Sequence, residues 1–558
     1  MSRAYATSNG ALAVVQNDLT VRALRHHQAG RVNEAMHLYR HILVADPQND
    51  GALHLLGVIA LQGGQNNVAV ELIVKALLIN SSPAFYYSNL GSVLKELRRP
   101  DDAIIAHCTA LSIEPDYAPG HYNYGNVLAE LGQVNAAFAA YCRALQIKRD
   151  YADAHTNLGI TLYDLGRLDA AVVAQKAALG LKPDHAEAHY NHGIAINNLG
   201  HTDAAVASYR KALSIKPDYA DAHCSLGLAL LLSGNFKEGW QEYQWRGKKR
   251  EIATFNRDFG KPLWQGERLG GKTILLHAEQ GIGDTIQFCR YAPFVSAQGG
   301  RVVLQVHRPL MRFLGGLAGT ERIVDRDDPL QPFDVHCPLM GLPQIFGTNV
   351  ENIPAAIPYL AAEPDRVAIW RDRLRPSGFC VGIVWQGNPD YKSDRSRSVP
   401  LGCFAPLANI PGVRLISLQK VHGLGQLESL PDHIKVETLG ANFDEGNDAF
   451  VDTAAVLMNL DLVITVDTAI GHVAGALGRP VWLLLSIAPH WPWLLEREDT
   501  PWYPKTRLFR QRQAGSWTEV FEQMAHRLRG VVRDSAAVIW PVVEGGDGAI
   551  AESNSTQG

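Results

Sequence analysis

Residues 118–151 read APGHYNYGNVLAELGQVNAAFAAYCRALQIKRDY, and residues 152–185 repeat the pattern as ADAHTNLGITLYDLGRLDAAVVAQKAALGLKPDH, a period of 34 residues. Glycine stands at Gly125 and Gly159, and working outward the same column holds Gly57, Gly91, Gly193 and Gly227, with Ala23 extending it backward. A second glycine column follows at Gly30, Gly64, Gly132, Gly166, Gly200 and Gly234, where Arg98 is the exception. Alanine recurs at Ala35, Ala69, Ala103, Ala137, Ala171 and Ala205, and proline closes several units at Pro47, Pro115, Pro183 and Pro217. Self-similarity at a fixed period of this length marks an array of helical repeats, each stacked on the next.

These columns resemble the tetratricopeptide repeat, over residues 16–253 in seven units. Each unit is then two helices. The small residues let the helices approach closely, the later glycine ends the first helix in a left-handed conformation, and proline stops the second. Leu94, Leu128, Leu162, Ile196 and Leu230 are the expected filling between layers. Stacked units make a superhelix whose concave face is a common binding surface.

One column is polar: Asn89, Asn123, Asn157 and Asn191. Asparagine inside a helix costs about 0.6 kcal/mol relative to alanine. A side-chain amide both donates and accepts, so a ladder of them can grip an extended acceptor peptide through its backbone. The column resembles the asparagine ladder of O-GlcNAc transferase. The alternative is a solvated column inherited by duplication.

The chain has 558 residues, 46% apolar and 19% charged, with a net charge of −4. That is globular composition, with no bulk attraction to nucleic acid. No apolar run is long enough for a membrane span, and Met1–Gln16 lacks the pattern of a signal peptide. The seven cysteines are scattered without a C-x-x-C, which reads as reduced packing residues in a cytoplasmic protein. After the repeats, Trp240, Tyr243 and Trp245 are expected to pack the end of the superhelix onto the next domain. The basic run Arg246–Arg250 is expected to be a solvated face, and residues 254–271 an ordered linker.

From Lys272 the pattern changes to short apolar runs alternating with helical stretches. Strands are expected at Thr273–His277, Arg301–Val306, Arg322–Val324 and Phe333–Val335, then at Cys380–Trp385, Arg414–Leu418, Ile434–Val436, Leu462–Val466 and Val481–Leu485. This alternation predicts parallel sheets flanked by helices. The fold class is therefore an α-solenoid followed by an α/β region of two Rossmann-like lobes, over residues 272–378 and 379–535. Residues 536–558 are expected to be a disordered tail.

Three strand-to-helix loops carry candidate chemistry. Glu279–Asp284 ends on Gly283-Asp284, where Asp284 is either functional or a plain N-terminal cap. Gln386–Ser398 carries Arg397, which can fork onto a diphosphate or lie in a solvated loop. Val466–His472 places Thr468, Ala469 and Ile470 at a helix N-terminus, a ready phosphate site. Asp467 and His472 flank it, with a core histidine as the alternative for His472. Trp491 and Trp493 can either stack on a ligand or anchor their loop.

Together these loops resemble the heptosyltransferase-type glycosyltransferases of family 9, with the GT-B fold, over about residues 272–530. Gly283-Asp284 matches the first motif, and Arg397, Pro400 and Phe404 match the second, with arginine where lysine is frequent. Asp467-Thr468-Ala469-Ile470-Gly471-His472 followed by Ala476-Leu477-Gly478-Arg479-Pro480 matches the third, with Ala469 replacing a glycine. The resemblance implies that the first lobe takes the acceptor and the second a nucleotide-sugar. It implies Asp284 as general base and Arg397 as the cation on the leaving diphosphate. Thr468, Ala469 and Ile470 would hold phosphate, and Asp467 and His472 the donor. It also implies no cofactor and no metal, although Asp325-Arg326-Asp327 spells a D-x-D. The joint layout implies bacterial protein glycosylation, sugar passing to a Ser or Thr hydroxyl held by the repeats. A glycolipid acceptor, or a scaffold with a degenerate transferase, are the alternatives.

Overall fold

The computed structural model describes residues 18–249, 259–375, 377–391, 394–446 and 449–533. The expected tail, and the start of the chain, lie outside the described residues. The fold divides into two compact units, one ending at Ala195 and one beginning at Ile196. The boundary falls inside the repeat array, so the last repeats belong with the α/β part.

The first unit is a succession of helix pairs, exemplified by Ala84–Glu96 with Pro100–Ile113, Ala118–Glu130 with Val134–Ile147, and Ala152–Asp164 with Leu168–Leu181. The first glycine column is steric. A Cβ at Gly57 would lie 2.7 Å from Ile73, at Gly91 2.6 Å from His107, and at Gly125 2.7 Å from Tyr141. The alanine column, Ala35, Ala69, Ala103, Ala137 and Ala171, is fully or almost fully buried. The second glycine column takes positive φ, from 71° at Gly132 to 87° at Gly200. Arg98, the exception in that column, adopts the same conformation at φ 56°, which costs a non-glycine residue about 1 kcal/mol. The turn geometry belongs to the repeat, and the residue at Arg98 conforms to it.

The second unit begins with the end of helix Ala186–Asn198, then Thr202–Ile215, Ala220–Leu232 and Phe236–Tyr243, closed by a 3-10 turn at Gln244–Lys248. Among the described residues ten strands follow: β1 Thr273–His277, β2 Arg301–Val306, β3 Arg322–Asp325, β4 Val335–Pro338, β5 Phe379–Val384, β6 Val413–Ser417, β7 Val436–Thr438, β8 Leu462–Val466, β9 Val481–Leu485 and β10 Thr506–Arg510. They form two sheets, ordered β3-β2-β1-β4 and β10-β9-β8-β5-β6-β7. Every pairing is parallel. In each sheet the order reverses beside the first strand, between β1 and β4 and between β5 and β8. Such switch points open a crevice at the carboxyl ends of the strands.

Several expectations need correction. The strand expected at Ile434–Val436 is Val436–Thr438, and that at Phe333–Val335 is Val335–Pro338. β10 was not expected, because Thr-Arg-Leu-Phe-Arg at a sheet edge lacks a continuous apolar run. The basic run is not a solvated face at Arg246, which is 3% exposed and paired through Nη2 with Glu279 at 3.0 Å. Trp240 and Tyr243 are buried, and Trp240 donates to the Thr348 carbonyl at 2.9 Å. Trp245 instead stacks on His223 of its own repeat, 3.9 Å between ring centroids. In the linker, Trp264 is fully buried and Leu263 bridges to His336 of β4. All seven cysteines are free, but Cys108 is exposed rather than packed. Among the described residues no helix is long and apolar enough to cross a membrane.

Candidate functional site

A cavity of about 590 Å³ lies where the loops after β1, β5, β8 and β9 meet. It is lined by Asp284, Arg397, Asp467, Thr468, Ala469 and His472, together with Gln280, Gly283, Tyr391, Ser486 and His490. Six of the seven residues singled out on the α/β lobes therefore converge. Ile470 does not line the cavity; its side chain packs against the apolar core.

Asp284 sits in the first turn of helix Ile282–Phe288. Its Oδ2 accepts the Gly281 N–H at 3.0 Å. Burial pushes its carboxyl above the usual carboxylate range, and the charges of Asp467 and Glu279 push the same way, against His490 and the Gly281 amide. A carboxylate so placed is more basic than one in water.

Arg397 ends the short helix Asp394–Arg397. Its Nε donates to Asp394 Oδ1 at 2.9 Å and its Nη1 to the Asp467 carbonyl at 2.8 Å. The second and third loops are thus tied together by the cation itself. Thr468 caps helix Ala469–Ala476 without a side-chain bond to it, and its Oγ1 meets Thr465 Oγ1 at 3.1 Å. The first amides of a helix have no intrahelical acceptor, so this end presents N–H groups and partial positive charge.

His472 is both buried, at 6% exposure, and part of the cavity wall. Its Nδ1 lies 2.9 Å from the Tyr503 hydroxyl. Burial lowers its pKa to about 4, against the charge of Asp467, so the ring is neutral at pH 7 and able to donate or accept at Nε2.

Sequence reasoning did not resolve the loop after β9. Trp491 and Trp493 are 2% and 1% exposed and do not line the cavity, so they anchor the loop. His490, immediately before them, does line it. Asp325 of the D-x-D is buried and paired with Arg308, and Asp327 donates its N–H to Asp325 Oδ1 at 3.2 Å. Among the described residues no group of three His, Cys, Asp or Glu side chains is placed to hold a metal ion.

In the first unit the asparagine column lies between repeats. Asn89 Nδ2 meets His54 Nε2 at 2.9 Å, Asn123 Nδ2 donates to Ser88 Oγ at 3.2 Å, and Asn157 Nδ2 donates to Asn126 Oδ1 at 2.8 Å. Each of these amides reaches into the preceding repeat. Asn191 Nδ2 is buried without a partner. Asn123 lines a cavity of about 420 Å³ and Asn157 one of about 280 Å³, with Asn126 shared by both.

Tetratricopeptide repeat models match residues 125–166 and 197–234 and residues 152–185. The model of glycosyltransferase family 9 (heptosyltransferase) matches residues 446–486, which hold β8, Asp467–His472 and β9. Protein FlbA of Caulobacter vibrioides is 27% identical over 321 residues, 54% of this chain and 53% of FlbA. The chain thus spans about half the length of that curated relative. Among solved structures, YrrB, a TPR protein with an unusual peptide-binding site, is 24% identical over 33% of this chain and 95% of its own, with a TM-score of 0.28. PilW, a type IV pilus biogenesis factor, is 24% identical over 38% of this chain and 98% of its own, with a TM-score of 0.35. The first half of the chain carries tetratricopeptide repeats, and the second a segment of the family 9 type.

Proposed function

We propose that this chain, in which tetratricopeptide repeats precede a family 9 type segment, is a GT-B glycosyltransferase that moves a sugar from a nucleotide-sugar to a Ser or Thr hydroxyl of a protein. The observation that carries the reading is the meeting of Asp284, Arg397, Asp467 and His472 in one cavity at the strand ends of both sheets.

The chemistry follows from that arrangement. The acceptor oxygen attacks the anomeric carbon while Asp284 takes the hydroxyl proton. The bond from that carbon to the diphosphate oxygen breaks, and its electron pair leaves with the nucleotide. Arg397 and the amides of Thr468, Ala469 and Ile470 meet the charge that develops there. A cation already fixed on the Asp467 carbonyl needs little reorganisation, and the proposed step uses no metal or other cofactor. Asp467 and neutral His472 hold the donor sugar. One displacement inverts the anomeric carbon. The repeats supply the protein acceptor surface, with Asn89, Asn123, Asn157 and Asn191 along it, and the reaction is cytoplasmic.

The test is a thermal-shift screen of the purified chain against UDP, GDP, ADP, dTDP and CMP and their sugar conjugates. A ligand at about 100 times its Kd adds about 2.7 kcal/mol of stability. One conjugate should raise the melting temperature, and Asp467→Ala should remove the rise. Silence across the whole panel would refute donor binding and leave a repeat scaffold.

A further inference from the structure

The closing turns of the repeat array reach two of the loops that line the cavity. Gly200, in the turn after helix Ala186–Asn198, lies so close to the β9 loop that a Cβ there would be 3.0 Å from Ile487 Cγ1. Trp240 meets Trp491 edge to face, 5.1 Å between centroids, one residue past His490. These contacts buttress the loop after β9.

The contact with the β1 loop is ionic. Arg246 Nε donates to Glu279 Oε1 at 3.1 Å and Nη2 to Oε2 at 3.0 Å. Glu279 Oε2 also accepts the Met340 N–H at 3.3 Å. Arg246 Nη1 donates to the Tyr243 carbonyl at 3.2 Å, and its guanidinium lies over the Tyr243 ring, 5.0 Å from the centroid. The Tyr243 hydroxyl in turn accepts from Gln280 Nε2 at 3.2 Å. Gln280 lines the cavity, and the next residue, Gly281, holds the Asp284 carboxylate. Arg246 and Tyr243 do not themselves line the cavity.

A buried ion pair adds little stability over an apolar pair of similar volume. Its bidentate geometry does fix position and angle, and here the position fixed is that of Glu279 and Gln280, at the root of the loop that ends in Asp284. We infer that Arg246 and Tyr243, in the closing turn of the repeat array, are positioning residues for Asp284. The inference rests on the reading of Asp284 as the base.

The pair also sets the charge that Asp284 meets. The groups facing that carboxylate are His490, Asp467 and Glu279, with Tyr243 behind them. While Arg246 is present, its cation offsets part of the Glu279 charge that pushes the Asp284 carboxyl up. Without Arg246, Glu279 repels the Asp284 anion more strongly and the carboxyl keeps its proton to higher pH. Without both, that repulsion is gone and the proton leaves at lower pH.

The test uses the full chain and the UDP-, GDP-, ADP-, dTDP- and CMP-linked sugars, with release of free nucleotide as the readout. Arg246→Met should lower kcat about tenfold with KM for the sugar nucleotide changed less than about threefold, as expected for a misplaced catalytic group. The acid limb of its rate profile should move to higher pH. The double variant Arg246→Met with Glu279→Met replaces the ion pair by an apolar one and should stay folded even where the single variant does not. It should also lose kcat, with its acid limb moved to lower pH. Tyr243→Phe should lower kcat less, with the limb unmoved. A folded double variant with the parent's kcat and acid limb overturns the inference. A parent that releases nucleotide from none of the sugars refutes the transferase reading instead, and the positioning role goes with it.

Discussion

Gly283 and His472 touch across the cavity: a Cβ built on Gly283 would sit 3.0 Å from His472 Cδ2 and 3.7 Å from the Cα of Ala469. The two residues belong to the helices that follow β1 and β8, one from each sheet. Gly283→Ala therefore forces the helices apart or tilts the imidazole from Tyr503. Overpacking of this kind costs about 1–3 kcal/mol. The melting temperature should fall by several degrees, and the stabilisation by the cognate sugar nucleotide should fall further. A variant that melts and binds like the parent would show that the helices yield without cost.

His472 makes stability depend on pH. Its pKa is about 4 in the fold against an ordinary 6.5, chiefly through burial. The unfolded chain therefore takes up the proton first as pH falls. The contribution of the neutral ring is complete above about pH 6.5 and is lost on acidification toward pH 4, amounting to about 3 kcal/mol at most. His472→Asn keeps a partner for the Tyr503 hydroxyl but cannot titrate. Melting curves from pH 7.5 to 4.5 should show a shallower acid loss in the variant. Parallel losses in both proteins would mean that His472 titrates normally.

What could be read in advance divides by distance along the chain. The columns at Gly57, Gly91 and Gly125 were visible because each repeat carries its own copy of the same contact. Strands β1, β2, β8 and β9 were visible because both faces are covered and their residues are almost wholly apolar. β7 and β10 lie at the two edges of their sheet, where Glu437, Arg507 and Arg510 break that signal. The loops carrying Asp284, Arg397 and Asp467 were legible through their place after strands. Arg246 was not, because its burial depends on Glu279, 33 residues away, and a run of basic residues shows nothing of a distant counter-ion. Trp491 and Trp493 were equally open until their packing against Trp240 and Tyr503 was seen.

His107 is a misfit in its own column. The equivalent positions hold Tyr39, Ile73, Tyr141, Gln175, Tyr209 and Tyr243. His107 is fully buried, and both ring nitrogens lack a partner. An unsatisfied buried polar group costs about 1–3 kcal/mol. Tyr141 shows that the repeat accommodates a six-membered ring against its glycine, Gly125. His107→Phe should therefore stabilise the chain by about 1 kcal/mol at pH 7. The gain should grow toward pH 5, because burial holds His107 near a pKa of about 4 and the unfolded parent is protonated first. Denaturant titrations at the two pH values check this, and a destabilised variant would mean that the site is shaped for the smaller ring.

Asp284 and Arg397 occupy opposite sides of the proposed displacement, and their variants should fail in different ways. Asp284→Asn removes the base and keeps the bond from the Gly281 N–H, so the loop should hold its shape. Nucleotide release should fall about 10²- to 10⁴-fold, the usual worth of a general base, while stabilisation by the nucleotide persists. Arg397→Ala removes the cation from the diphosphate side and unties the Asp467 carbonyl. Hydrogen bonds to charged groups contribute about 1.5–3 kcal/mol, so nucleotide affinity should drop about 10- to 100-fold, with turnover falling as well. Arg397→Lys restores the charge but cannot reach Asp394 and Asp467 together with two arms, and should recover affinity in part. Thermal-shift titrations with the cognate nucleotide, paired with release rates, separate the two roles. If Asp284→Asn turned over at the parent's rate, or lost nucleotide binding as Arg397→Ala does, Asp284 would not be the base.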